Sequence, residues 1–296
     1  GGYLYADKLH AAFKTMHAKN MYKQMTVYFE ACESGSMFQN ILEDDIGIYA
    51  VSAANAKESS WGTYCYPDDM VDGKHIHSCL GDLFSVNWLE DADKANMVLE
   101  TLQTQFNTVQ KETTKSHVLQ WGELSFTNEA ISEFEASVPM EQKFKKDKKK
   151  HSFWHNLKHA AKDILKDVII DEKDVNKKNE FAVDSRDIQL HYLYNQVMND
   201  PSRENSQALK DEIEHRMVID ERFETLFPAH IEAVKNNTTP LPTDFECYRK
   251  LVDTYENSCE KMDEYSLKYM KYFVAECEGM KSIPEASNQT VGRIQT

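Results

Sequence analysis

An α/β layer followed by an all-α bundle is the fold class that this sequence of 296 residues predicts. Three observations lead there. Short β-branched and aromatic runs alternate with helical periodicity over the first 138 residues, purely helical periodicity fills everything after about Val183, and a basic connector separates the two. The charge follows the same division: residues 1–138 hold 9 basic and 20 acidic groups, residues 139–182 hold 12 and 8, and residues 183–296 hold 13 and 21. The domains expected are therefore 1–138, a basic linker 139–182 and a helical domain 183–296. The core of the linker, Lys143-Phe144-Lys145-Lys146-Asp147-Lys148-Lys149-Lys150, is too self-repelling to nucleate structure and reads as an exposed strip.

In chain order, Leu9, Ala12, Phe13 and Met16 fall on one face of a helix. Met25–Phe29 and Asp45–Val51 are the first two strands, made by β-branched and aromatic side chains. Asn55–Gly81 reads as a long irregular segment, and segments of that length are usually functional or disordered. Helix is expected again after Asp93, with Leu99, Leu102, Phe106 and Val109 on its buried face, and strands at His117–Trp121 and Leu124–Phe126. Four strands are few for an α/β sheet covered on both faces, so further strands are expected upstream of Gly1. Beyond the connector, where Leu157, Ala161, Ile164, Leu165 and Val168 trace one stripe, helices are expected near 184–198, 202–226, 243–257 and 261–278.

Composition excludes several functions. A net charge of −15 argues against nucleic-acid binding, and no apolar run approaches the ~18 residues of a membrane span. No phosphate-cradling glycine loop or metal-ligand spacing is present, so no cofactor and no metal are expected; His75-Ile76-His77 near Cys79 comes nearest to a metal site. No targeting signal can be read at Gly1-Gly2-Tyr3.

The chemistry-bearing stretch is Phe29-Glu30-Ala31-Cys32-Glu33-Ser34-Gly35-Ser36, a cysteine immediately after a hydrophobic strand and before a small-residue turn. Side chains at the carboxyl end of such a strand face the ligand crevice, where a thiol is exposed and can act as nucleophile. The pattern parallels the caspase-type x-Ala-Cys-x-Gly signature. A packed structural cysteine is the alternative reading.

Three ordered blocks now carry a family resemblance: Glu30–Ser36, Ala53-Ala54-Asn55-Ala56-Lys57-Glu58-Ser59-Ser60-Trp61-Gly62-Thr63-Tyr64-Cys65, and Cys79-Leu80-Gly81-Asp82-Leu83-Phe84-Ser85-Val86-Asn87-Trp88-Leu89-Glu90-Asp91. Together with Ser116–Gly122 and the helical half, they resemble the legumains, the asparaginyl endopeptidases. The resemblance implies a caspase-like α/β catalytic domain, an activation peptide and a helical prodomain that caps the active site as an intramolecular inhibitor. It makes Cys32 the nucleophile and places Glu30, Ser59 and Asp82 in the pocket for the substrate asparagine, with Ser60 and Trp61 lining the adjoining cleft. Asn55 and Glu58 match motif positions with structural roles. An Asn carboxamide offers two N–H donors and one acceptor, and Glu30 and Asp82 can accept those N–H groups. Two carboxylates repel an ionised Asp, which predicts cleavage after Asp only at low pH.

Further expectations follow from the resemblance. The His-Gly pair that supplies the legumain base and part of its oxyanion hole would lie upstream of Gly1, and His10 and His17 lack the following Gly, so this exact chain is expected to be inactive or very weak. Cys65 and Cys79 should bridge, as should Cys247 and Cys277, leaving Cys259 over. The activation cut is expected after Asn176 or Asn179, and Asn236, Asn237 and Asn288 are glycosylation acceptors by motif. Localisation is expected to be lysosomal, vacuolar or secreted, and partners to be peptides with Asn before the cut bond. The competing readings are a catalytically inactive legumain-like binding or inhibitory protein and, less favoured, a lipid-anchor transamidase subunit.

Overall fold

A computed structural model describes residues 2–135, 177–280 and 294; Asn176, Asn288, the stripe at 157–168 and the basic run lie outside the described residues. The described chain divides into two compact units. One comprises 10–68 and 79–182, and the other 1–9, 69–78 and 183–296.

The first unit is α/β. Helix α1 (Ala6–Ala18) buries His10 and Phe13, while Ala12 faces solvent. His10 Nε2 lies 3.0 Å from the Met37 carbonyl, and burial pulls its imidazole below the usual range. Strand β1 (Met25–Phe29) pairs in parallel with β2 (Ile48–Ser52), Met25 opposite Ile48 and Phe29 opposite Ser52. The β2 residues are all buried, as befits the central strand, which takes β7 (Leu119–Gly122) antiparallel on its other edge. Gly122 ends β7 at φ +77°, where a Cβ would lie 2.3 Å from the Ile48 carbonyl oxygen. The strand expected at Leu124–Phe126 is therefore a turn, closed by the Thr127 amide on the Leu124 carbonyl, with Phe126 packed into the core.

The segment read as irregular holds short pairings. β3 (Trp61–Thr63) is antiparallel to β6 (Gly81–Asp82), and β4 (Met70–Val71) forms a hairpin with β5 (Lys74–His75). Directly after β6 comes α2 (Leu83–Lys94), then α3 (Leu102–Glu112), capped by the Thr101 hydroxyl. Leu99, expected on a buried helical face, sits in the turn between them and is 63% exposed. Tyr49 and Val51 of β2 pack with Phe84, Leu102, Phe106, Val109, Val118 and Phe126 in one core.

Beside that core lies an acidic cluster. Burial and the neighbouring Glu100 carboxylate push Asp91 up to about 8. Glu135, which also repels it, accepts from Gln105 Nε2 at 3.1 Å and lies 3.1 Å from the Tyr28 hydroxyl. Between the ordinary aspartate range and pH 8 the unfolded chain is ionised while the folded one keeps this proton. Stability present at acid pH is thus lost as pH rises towards 8. Asp91→Asn is expected to flatten that decline between pH 5 and pH 8 by roughly 2 kcal/mol, read from urea midpoints. An unchanged pH slope would place its source elsewhere.

The helical unit contains α4 (Ile188–Asn199), α5 (Arg203–Leu226), capped by the Ser202 hydroxyl, the short α6 (Ile231–Lys235), α7 (Phe245–Ser258), capped by Asp244, and α8 (Met270–Met280). Helix was expected from 261, but the chain enters α8 only after a 3-10 turn at Ser266–Tyr269, because Asp263 and Ser266 tie the preceding loop with reciprocal bonds. The core is aromatic: Phe223, Phe227, Tyr255, Tyr272 and Phe273 are each at most 1% exposed. Cys247 and Cys277 form a disulfide joining α7 to α8. Asn236 and Asn237 are exposed in the loop after α6.

Candidate active site

Cys32 follows β1, where the parallel pairing with β2 brings the ends of both strands together. The loop around it is stitched to the segment after β2. The Gly35 amide donates to the Ala54 carbonyl at 3.0 Å, the Ala54 amide to Ser34 Oγ at 3.0 Å, and the Glu33 amide to the Glu58 carbonyl at 2.7 Å. Gly35 is needed for this approach, since a Cβ there would lie 3.0 Å from backbone atoms of Asn55 and Ala56. The neighbouring Glu33 takes a left-handed φ of 50°, which turns the chain sharply after the cysteine.

The stitching brings the second sequence block to the first. The Ser60 amide donates to Cys32 Sγ at 3.3 Å, and Ser60 Oγ lies 3.7 Å from the same sulfur. A backbone donor on sulfur stabilises thiolate over thiol, the form a nucleophile needs. Glu58 acts structurally: its Oε1 accepts from the Asn55 and His117 amides at 2.8 and 2.7 Å, and its Oε2 lies 2.8 Å from His117 Nδ1. Ser59 and Trp61 are half-buried beside Ser60, and the Lys115 ammonium sits 5.5 Å from the Trp61 ring.

The third block arrives through α2. Asp82 is its N-cap residue, and in its first turn Ser85 donates both its amide (2.8 Å) and its hydroxyl (3.0 Å) to Glu30 Oε2. Oε1 of Glu30 is buried with no donor. Burial, reinforced by Asp82, pushes Glu30 up to about 7, with the Ser85 bonds and the nearby Ser60 hydroxyl pulling it back. The sequence reading made Glu30 and Asp82 a pair of acceptors, and to that pair burial adds a Glu30 that favours its protonated form below about pH 7. It also missed Ser85, whose signal was a hydroxyl in the first turn of a helix beginning at a motif acid.

Cys65 and Cys79 form a disulfide across the β3–β6 segment. Cys32 and Cys259 keep their thiols. With Cys79 in a bridge and His75 Nδ1 held 2.7 Å from Asp69, the nearest approach to a metal motif is otherwise engaged. Among the described residues no cluster suited to a metal ion occurs, and no helix is long and apolar enough to cross a membrane.

Asn179, in a Lys-rich polar stretch of the sequence, is 6% exposed. Its Oδ1 accepts from the Thr114 amide (3.2 Å) and hydroxyl (2.6 Å), and its Nδ2 donates to the Glu112 carbonyl at 3.0 Å. Lys178, 4% exposed, is ion-paired with Glu112 at 3.0 Å and Glu90 at 3.2 Å. Two acids, one on α2 and one on α3, take Lys178 into the fold.

Residues 1–137 match the Peptidase C13 family, and residues 207–290 match the legumain prodomain. The chain belongs to the legumain family. It is 31% identical to a vacuolar-processing enzyme of Vicia sativa over 99% of this chain and 60% of that protein. It is likewise 31% identical to one of Ricinus communis, over 97% and 57%, and to the delta-isozyme of Arabidopsis thaliana, over 91% and 57%. This legumain-family chain thus spans about 60% of the length of the curated relatives it matches. Its α/β unit carries the residues of the three peptidase motif blocks, and the prodomain match falls on α5 to α8.

Proposed function

We propose that the protein of which this chain is part is a cysteine endopeptidase that cuts after asparagine and is made as a zymogen, its helical half serving as inhibitory prodomain. The observation that carries this reading is the meeting of Cys32, Ser60 and Glu30 at the end of β1, with an amide on the sulfur. Cys32 thiolate attacks the carbonyl carbon of the scissile bond, the C–N bond breaks, the amine leaves with a proton, and water hydrolyses the thioester. The base belongs, in this reading, to the part of the relatives that the chain does not span: His10 is engaged with Met37 and His117 with Glu58. A protonated Glu30 donates to the carboxamide oxygen while Asp82 accepts from its N–H groups, a set that matches Asn. An ionised Asp meets Asp82 as a like charge, so cleavage after Asp is confined to low pH. The names of the relatives favour a vacuolar or lysosomal compartment, where disulfides fit.

A peptide ending in an Asn-derived electrophile tests this on the full-length protein after acid activation. Peptide mapping is expected to find the adduct on Cys32 and at least tenfold faster capture than by the Gln homologue. An adduct elsewhere, or equal rates for Asn and Gln, would overturn the reading.

A further inference from the structure

We propose that Ser85 is the positioning residue of the substrate pocket: it clamps one oxygen of Glu30 so that the other is presented to the substrate carboxamide. This rests on the asparagine reading above and assigns a specificity role to a residue outside the expected pocket set. The two Glu30 oxygens are not equivalent. Oε2 takes both Ser85 bonds, at 2.8 Å from the amide and 3.0 Å from the hydroxyl. Oε1, buried with no donor, is the oxygen left for a ligand.

The clamp is built from rigid parts. Ser85 stands in the first turn of α2, where backbone N–H groups have no intrahelical acceptor and the helix dipole favours an anionic partner. Glu30 follows β1, two residues before Cys32, so the clamped carboxyl holds a fixed place relative to the nucleophile. With Oε2 saturated by donors, a proton on Glu30 resides on Oε1, where it becomes a donor for the Asn side-chain oxygen. When Glu30 is ionised the same oxygen is an acceptor. Ser85 thereby decides which oxygen changes character with pH. The groups facing this carboxyl are Asp82, which opposes ionisation, and the Ser60 and Ser85 hydroxyls and Ser85 amide, which favour it.

Ser85→Ala removes one bond to the ionised form and keeps the backbone donor, whereas Ser85→Thr keeps the hydroxyl. In the full-length protein with Cys32→Ala to prevent self-cleavage, the Glu30 carboxyl is followed by carbon NMR, assigned through Glu30→Gln. Ser85→Ala is expected to raise its titration midpoint by roughly half a unit to one unit, and Ser85→Thr to restore it. In the nucleophile-intact protein, Ser85→Ala is expected to raise KM for an Asn peptide about tenfold with kcat changed less than threefold, Thr again rescuing. An unmoved midpoint, or a moved midpoint with unchanged KM, overturns the clamp. Failure of the parent protein to turn over the Asn peptide overturns the peptidase reading itself, and the specificity role with it, whatever the NMR shows.

Discussion

Cys32→Ser is expected to lower kcat for an Asn peptide by about 10⁴-fold or more in the full-length protein. The substitution changes one atom. Ser60 can still donate its amide to the hydroxyl oxygen, and the Gly35 and Ser34 bonds to Ala54 that hold the loop do not involve the side chain at 32. What is lost is ionisation. A thiol reaches its thiolate form with far less help than a serine hydroxyl, which needs a much stronger base. Circular dichroism and urea midpoints should match the parent within about 0.5 kcal/mol, so loss of turnover would report chemistry. Equal turnover by both proteins would remove Cys32 from the mechanism.

Phe223→Ala is expected to destabilise the helical unit by about 3–5 kcal/mol, the usual range for truncating a buried aromatic. Phe223 is fully buried at the centre of its cluster. Its ring stacks on Tyr269 at 4.6 Å, lies 5.0 Å from Tyr255 and meets Phe273 edge-on at 5.7 Å. The neighbours cannot collapse into the space: Cys247–Cys277 fixes α7 to α8, and the Tyr265 hydroxyl is tied to Asp220 at 2.7 Å. Hydrogen exchange should therefore quicken across α5, α7 and α8 while β1, β2 and β7, with their separate core, keep their protection. Uniform loss of protection across the chain would show that the two cores do not fail separately.

Much of this was legible from side-chain pattern alone. β1 is a run of Met-Thr-Val-Tyr-Phe, and β2 a run with no charge, so each announces itself within five residues. The pairs β3–β6 and β4–β5 are two or three residues long, too short for an alternation to appear, and only their partners make them strands. Helix α2 was hidden because its buried residues Leu83, Phe84 and Asn87 include a polar one, whose Nδ2 donates to the Thr113 hydroxyl at 2.9 Å. At the site, Cys32 stood out by its place after a strand, and Glu30 and Asp82 by the family resemblance, but Ser85 and the unequal oxygens of Glu30 arise from a contact 55 residues apart. The burial of Lys178 and Asn179 had no sequence signal, since the groups that receive them lie some 65 to 90 positions earlier.

The seating of Asn179 has a kinetic consequence for any peptidase that would cut after it. A peptidase must draw its target bond into an extended register, yet here the Asn179 carboxamide already accepts two bonds and donates one, and its lysine neighbour is locked between two glutamates. Cutting there can proceed only from the fraction of molecules in which the segment has lifted away. Its rate is then capped by that opening equilibrium rather than by the intrinsic appetite of the nucleophile. Under the proposed function, asparagines would be cut in an order set by how deeply each is tucked in, before any specificity pocket reads a side chain.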